Sequence, residues 1–157
     1  MVKKLSRFSV IMIVVAAVGI VFSIVGFFVP WFNFVSELGP RRYGLFEHVI
    51  EIDFPIQLLQ SFAVITLIFA SVACAFFVLH SLCVVKIKWA YRITCAVIVI
   101  LFAILTFIFS IVVTKEYRLY YVGVPLMGGV VPSIGAWFLT FGTIISCIPL
   151  LFNRRKK

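Results

Sequence analysis

Charged side chains are scarce in this chain of 157 residues, and four long stretches contain no Asp, Glu, Lys or Arg. Only 12% of the residues are charged, whereas 64% are hydrophobic, and the mean hydropathy is +1.25. This composition excludes a soluble globular domain, in which about 25% of residues are charged. The uncharged stretches also argue against a transporter, proton pump or ion channel, because such proteins keep ionisable groups inside the membrane for their function.

Histidines, cysteines and catalytic motifs are also scarce. His48 and His80 are the only histidines and fall on opposite predicted faces of the membrane, which excludes a haem held by two histidines of one copy. None of the four cysteines lies in a predicted outer loop, so we expect no external disulfide and interpret them as small packing residues. The motifs of serine hydrolases, P-loop proteins, dithiol redox centres and zinc proteases are missing. We therefore expect no enzymatic activity, no catalytic residues and no cofactor.

The four uncharged stretches each meet the requirement of about 20 apolar residues for a membrane-spanning helix. They cover residues 8–29, 58–85, 93–113 and 133–152. Backbone groups in hydrocarbon must be satisfied within their own segment, so we expect helices although Val, Ile and Phe favour strands in water. The sequence predicts an all-α membrane protein with one domain, residues 1–157, folded as a left-handed four-transmembrane-helix bundle. Its outer loops would be residues 30–57 and 114–132.

The formal net charge of +9 is unevenly distributed along the chain. Ten of the fourteen basic residues precede the first span, lie between the second and third, or follow the fourth, whereas all five acids fall in the predicted outer loops. Because cytoplasmic segments are enriched in Lys and Arg, this asymmetry predicts an integral protein of the cell membrane with cytoplasmic N- and C-termini. We interpret the basic clusters as orientation signals that touch anionic lipid headgroups, and not as a surface for nucleic acid.

Small residues recur along the spans at spacings of three, four and seven, which places each set on one helix face. In lipid, close backbone approach through small residues is a main source of packing energy. These positions are therefore predicted to pack helices together, either against a sister helix or against another subunit. The set comprises Gly19, Ser23, Gly26, Ala96, Ala103, Ser110, Gly135, Gly142 and Ser146.

The first outer loop has the pattern of a β-hairpin. Residues 31–38 and 42–54 flank Gly39 and Pro40, and residues 49–54 alternate between apolar and acidic. The sequence thus predicts a small extracytoplasmic β-hairpin cap. A lone hairpin is marginal in water, so its apolar face would lie either against a partner or against the helix ends. The partner-binding candidates are Trp31, Phe46, Ile50, Ile52 and Phe54.

The same loop contains the densest polar cluster of the chain, which consists of Glu47, His48, Glu51 and Asp53. These residue types can bind a divalent metal, but in a strand His48 would point away from the three acids. We interpret the cluster as a solvated face. The leading functional hypothesis is a non-enzymatic structural or accessory subunit of a larger membrane assembly, or a homo-oligomer, with membrane proteins and lipids as partners. The alternative is a metal-dependent or redox membrane component that uses His48 and the neighbouring acids.

The order of the elements resembles that of the claudin and peripheral-myelin-protein group of four-span proteins. Their first outer loop carries a Trp, a Gly-Leu-Trp and two cysteines around a small extracellular sheet. Here Trp31 opens the loop and Gly44-Leu45-Phe46 follows, with Phe46 in place of the second Trp and without the loop cysteines. The resemblance implies a four-span topology and lateral or cell-surface interactions. Pro30-Trp31 and Gly135-Ala136-Trp137 are also similar to small uncharacterised four-span proteins of prokaryotes, for which no activity follows.

Overall fold

The computed structural model of the chain contains four long helices and one pair of short strands. It describes residues 7–36, 39–46, 54–82, 87–120 and 134–152, with the backbone alone at 33–36, 39–41, 43, 54 and 115–120. The elements in chain order are α1 (Arg7–Phe28), β1 (Phe32–Ser36), β2 (Gly39–Tyr43), α2 (Phe54–Ser81), α3 (Trp89–Tyr120) and α4 (Ile134–Phe152).

Each of the four described helices is long and apolar enough to cross a membrane. The shortest, α4, has 19 residues and is about 28 Å long at the helical rise of 1.5 Å per residue, close to the thickness of a bilayer's hydrocarbon core. The prediction of an all-α, four-span integral membrane protein is thereby confirmed. The left-handed supercoil stays a prediction.

Two helices extend beyond the spans that apolarity predicted. α2 begins at Phe54, four residues before Leu58, and Pro55 occupies its first turn, where a missing backbone N–H costs no hydrogen bond. α3 runs from Trp89 to Tyr120 and therefore enters the predicted second outer loop. Hydropathy marks only the part of a helix that suits lipid. The Lys, Glu, Arg and Leu residues after Thr114 are good helix formers, which is why α3 continues past its apolar part.

The strand pair differs from the predicted hairpin, and the structure does not support the predicted cap. β1 and β2 are antiparallel with Phe32 opposite Tyr43 and Ser36 opposite Gly39, so Gly39 and Pro40 belong to β2 and not to the turn. Each strand has only five residues. Phe54, predicted as the end of the second strand, is the first residue of α2, and residues 47–53 lie outside the described residues. The last residue of the alternating pattern over residues 49–54 is therefore the first residue of a helix.

The helices run alternately up and down, and α4 contacts all three others. The hairpin end of the bundle holds the strands, the last turns of α1 and α3 and the first turns of α2 and α4. The opposite termini end holds the first turns of α1 and α3 and the last turns of α2 and α4. Ten of the 19 residues of α4 are buried, most of them small or hydroxyl-bearing. α4 therefore forms the centre of the bundle.

Candidate functional site

The seam between α1 and α4 is packed backbone against backbone. A Cβ atom added at Gly19 would lie 2.4 Å from the Ser146 backbone N, and one added at Gly142 would lie 2.5 Å from the Ser23 backbone N. At Gly26 the same atom would meet the Leu139 backbone N at 2.3 Å. Real Cβ contacts are longer, so the seam has no room for even one methyl group. No solute can pass between these two helices without separating them.

All nine predicted helix-packing residues are buried in the interior of the bundle. Those of α1 and α4 meet at the seam, while Ala96, Ala103 and Ser110 are buried on the inner face of α3. The sequence left open whether these stripes face a sister helix or another subunit. Because they are buried within one copy, they are not available as a surface for another protein.

Hydroxyl groups inside the bundle are paired with each other across helices. Thr66 of α2 and Thr106 of α3 lie 2.7 Å apart, oxygen to oxygen, and Ser23 of α1 and Thr143 of α4 lie 3.3 Å apart. The Thr143 hydroxyl also donates to the Leu139 carbonyl at 2.8 Å. Such bonds in membrane proteins contribute about 0.6 kcal/mol each on average, so they orient helices more than they hold them. These interior hydroxyls thus bond within the fold and need no solute as a partner.

Trp31 was predicted as a partner-binding residue, but the structure buries it. Its side chain is only 1% exposed, and its indole N–H donates to the Gly26 carbonyl at 2.9 Å. Gly26 lies in the last turn of α1, where helix carbonyls lack an intrahelical partner. The ring also fills the space over Gly135, whose backbone N–H donates to the Pro30 carbonyl at 3.0 Å. Trp31 therefore closes the hairpin end and cannot contact a partner.

The Gly44-Leu45-Phe46 segment is attached to α2 and leaves one aromatic ring outside. The Gln60 side-chain amide donates to the Leu45 carbonyl at 2.8 Å, and the Leu45 side chain is buried in the core. The Phe46 ring is 45% exposed and packs against Phe27 with 5.0 Å between ring centroids. Among the predicted partner-binding residues, Phe46 is the one that the structure shows with an exposed side chain.

The remaining predicted site residues lie where the structure describes no side chain. Ile50, Ile52 and the polar cluster of Glu47, His48, Glu51 and Asp53 are outside the described residues, and Phe54 has only its backbone described. Within the parts of the chain that are described, no three His, Cys, Asp or Glu side chains are grouped so that they could hold a metal. The metal hypothesis for the first loop is therefore untested.

Sequence reasoning missed the role of Arg92, which belongs to the basic residues that were interpreted as touching lipid headgroups. The side chain is only 4% exposed and turns inward, where Nη2 donates to the Leu150 carbonyl at 2.9 Å. The position of Arg92 as the fourth residue of α3 was a signal in the sequence. A guanidinium can extend outward from there only if it lies on the outer face of the helix.

No family model, curated protein or solved structure matches this chain. The resemblance to the claudin and peripheral-myelin-protein group stays an expectation.

Proposed function

We propose that this chain is a non-enzymatic membrane protein that works by lateral association, as a structural or accessory subunit of a larger assembly. The observation that carries the proposal is the filled interior. Where α1 and α4 meet, backbone atoms leave no space for a methyl group, and the hydroxyls of α2 and α3 bond to each other. A protein with such an interior acts through its outer surface.

The outer surface is rich in large apolar side chains. Contact with lipid explains the exposure of those that lie in the helices. Phe46 is different because it lies beyond α1, in the turn that follows β2, where apolar exposure marks a partner site. Its ring is held by Phe27 on one side, and its backbone neighbour Leu45 is anchored by Gln60. An aromatic ring that is already positioned loses little conformational freedom on binding, which favours affinity. Phe46 is therefore the proposed centre of the partner contact.

Association is tested by purifying the tagged chain from its native membrane in mild detergent and measuring the mass of the particle. We expect a defined complex that exceeds the 17.8 kDa chain with its detergent and contains a stoichiometric companion or further copies. Phe46→Ala should weaken the association by roughly tenfold or more, as expected for an aromatic residue at the centre of an interface. Phe152→Ala is the matched control, since Phe152 is also exposed but ends α4 at the termini end. A particle that is only monomer contradicts the proposal.

We further propose that the protein lies in the cell membrane with both termini in the cytoplasm. The support is the concentration of Lys and Arg in residues 1–7, 86–92 and 154–157, which in the sequence lead into α1, connect α2 with α3 and follow α4. In a chain whose cysteines are replaced, a membrane-impermeant thiol reagent added outside intact cells should label Ser36→Cys, at the hairpin end, and spare Lys88→Cys, an exposed position at the termini end. The reverse labelling pattern would overturn this orientation.

A further inference from the structure

A buried cation connects three helices at the termini end. Arg92 of α3 donates from Nη2 to the Leu150 carbonyl at 2.9 Å and to the Pro149 carbonyl at 3.4 Å, both in α4. Its Nη1 lies 3.3 Å from Nε2 of His80 in the last turn of α2. We call this group, made of Arg92, His80 and the two carbonyls, the Arg92 clamp.

Two helix C-termini lie beside the charge of Arg92. α2 ends at Ser81, one residue after His80, and α4 ends at Phe152, two residues after Leu150. The guanidinium contacts both the His80 ring and the Leu150 carbonyl. Each helix C-terminus carries about half a negative elementary charge, so the two ends together favour a cation between them.

The hydrogen-bond geometry requires a guanidinium at this position. The last four carbonyls of a helix have no intrahelical donor, and Pro149 and Leu150 supply two of those of α4. A planar fork reaches these carbonyls and the His80 ring at the same time, whereas an ammonium is a single point. His80 must be neutral to accept a hydrogen bond, and a neutral imidazole has only one acceptor nitrogen. The Ile87 N–H, 3.4 Å from Nδ1, therefore competes with the guanidinium, which faces Nε2, for the hydrogen bond to this ring. The charged guanidinium is the stronger donor of the two.

We propose that the Arg92 clamp is a conformational lock that holds the last turn of α4 against α2 and α3. The close backbone contacts at Gly19 and Gly142 hold α4 against α1 as far as Ser146. Three residues later, Pro149 lacks the backbone N–H that would bond to the preceding turn. The hydrogen bonds of Arg92 hold this last turn. The lock thereby fixes the end of α4 at Phe152, and it can open while the rest of α4 stays packed.

Cys147 is a built-in reporter for this lock. It is fully buried, lies two residues before Pro149, and packs in the same core cluster as Leu150 and Phe77. With Cys74, Cys83 and Cys95 replaced by alanine, Cys147 is the only thiol of the full chain. In detergent or lipid nanodiscs, we expect slow maleimide labelling of Cys147, and a rate raised roughly tenfold or more by Arg92→Gln, because losing charged hydrogen bonds favours local opening.

Two controls separate a lock from general stability. Lys88→Gln removes an exposed cation four residues earlier and should leave the Cys147 rate unchanged. A second reporter, Val113→Cys in a chain without Cys147, lies buried at the hairpin end and should stay protected in Arg92→Gln. If both reporters become reactive together, or if neither does, the proposal is overturned.

Arg92→Lys keeps the test informative if Arg92→Gln does not accumulate as folded protein. Lysine retains the charge beside the two helix ends but cannot bridge His80 and both carbonyls, so we expect a Cys147 labelling rate between those of the parent chain and Arg92→Gln. His80→Ala removes one of the clamp's acceptors and should give a smaller rise than Arg92→Gln. A rate in Arg92→Lys equal to that of the parent chain would overturn the requirement for a bridging guanidinium.

Discussion

Replacing Gly19 with alanine is expected to destabilise the bundle by about 2–3 kcal/mol, the upper range for forcing extra atoms into a packed interior. The added methyl would lie 2.4 Å from the Ser146 backbone N and 2.7 Å from the Gly142 backbone O. Neither atom can turn away as a flexible side chain would, so α1 and α4 must separate. The separation also lengthens the Ser23–Thr143 contact on the same seam. Unfolding by SDS in mixed micelles, followed by helical circular dichroism, measures the loss.

Ala17→Val is the matched control for this change. Ala17 lies on the exposed face of α1, two residues from Gly19, and the substitution adds more volume than Gly19→Ala does. Because the new atoms face outward, we expect a change within about 0.5 kcal/mol. Equal stability of Gly19→Ala and the parent chain would contradict the close seam, and an equal loss in both variants would show that the loss is not specific to the seam. Helix propensity cannot explain a loss in Gly19→Ala, because alanine is a better helix former than glycine.

Replacing Trp31 with alanine is expected to cost about 3–5 kcal/mol, the range for removing a large buried aromatic residue. The loss has two parts, since the ring fills the hairpin end of the core and its N–H satisfies the Gly26 carbonyl. Trp31→Phe keeps most of the ring but removes the donor, so it should cost about 1–3 kcal/mol. Unfolding in SDS with Tyr and Trp fluorescence as the signal distinguishes the two variants.

Trp137→Ala provides the comparison for Trp31, because it removes the same side chain from a position that is 43% exposed. Trp137 stacks on Phe141 with 5.3 Å between ring centroids and contacts Phe107 at 4.5 Å. Losing these ring contacts should cost about 1 kcal/mol. If Trp137→Ala proves as destabilising as Trp31→Ala, the burial of Trp31 is not what stabilises the hairpin end.

The segment between α1 and α2 shows why local patterns predict strands poorly next to a membrane-spanning helix. Gly39 and Pro40 look like a turn, yet Pro40 lies in β2 opposite Val35, which is possible because a two-stranded sheet has only edge strands. Phe54 looks like the end of an alternating strand, yet it starts α2. Turn residues and an alternating pattern are weak signals for a strand at this position. The same residues also fit the start of a helix with Pro55 in its first turn.

The positions of the four spans and the uneven distribution of charge along the chain follow from the amino-acid sequence alone. Whether a segment of about 20 residues favours lipid depends on its own side chains, so composition is sufficient. The sequence also shows which helix faces carry small residues, as with Gly19 and Gly26 on α1. These properties are local, and each can be read without knowing what lies next to the segment.

Which side chains turn inward at the helix ends depends on how the helices pack against one another. Trp31 closes α1 through the Gly26 carbonyl, Gln60 holds the Leu45 carbonyl, and Arg92 reaches the Leu150 carbonyl. In all three cases the acceptor is a backbone oxygen. Every residue has that atom, so it leaves no mark in a sequence, and a carbonyl becomes a specific partner only when the fold brings one helix end beside a donor. For this reason, the sequence does not reveal that the side chains of Trp31 and Arg92 are buried.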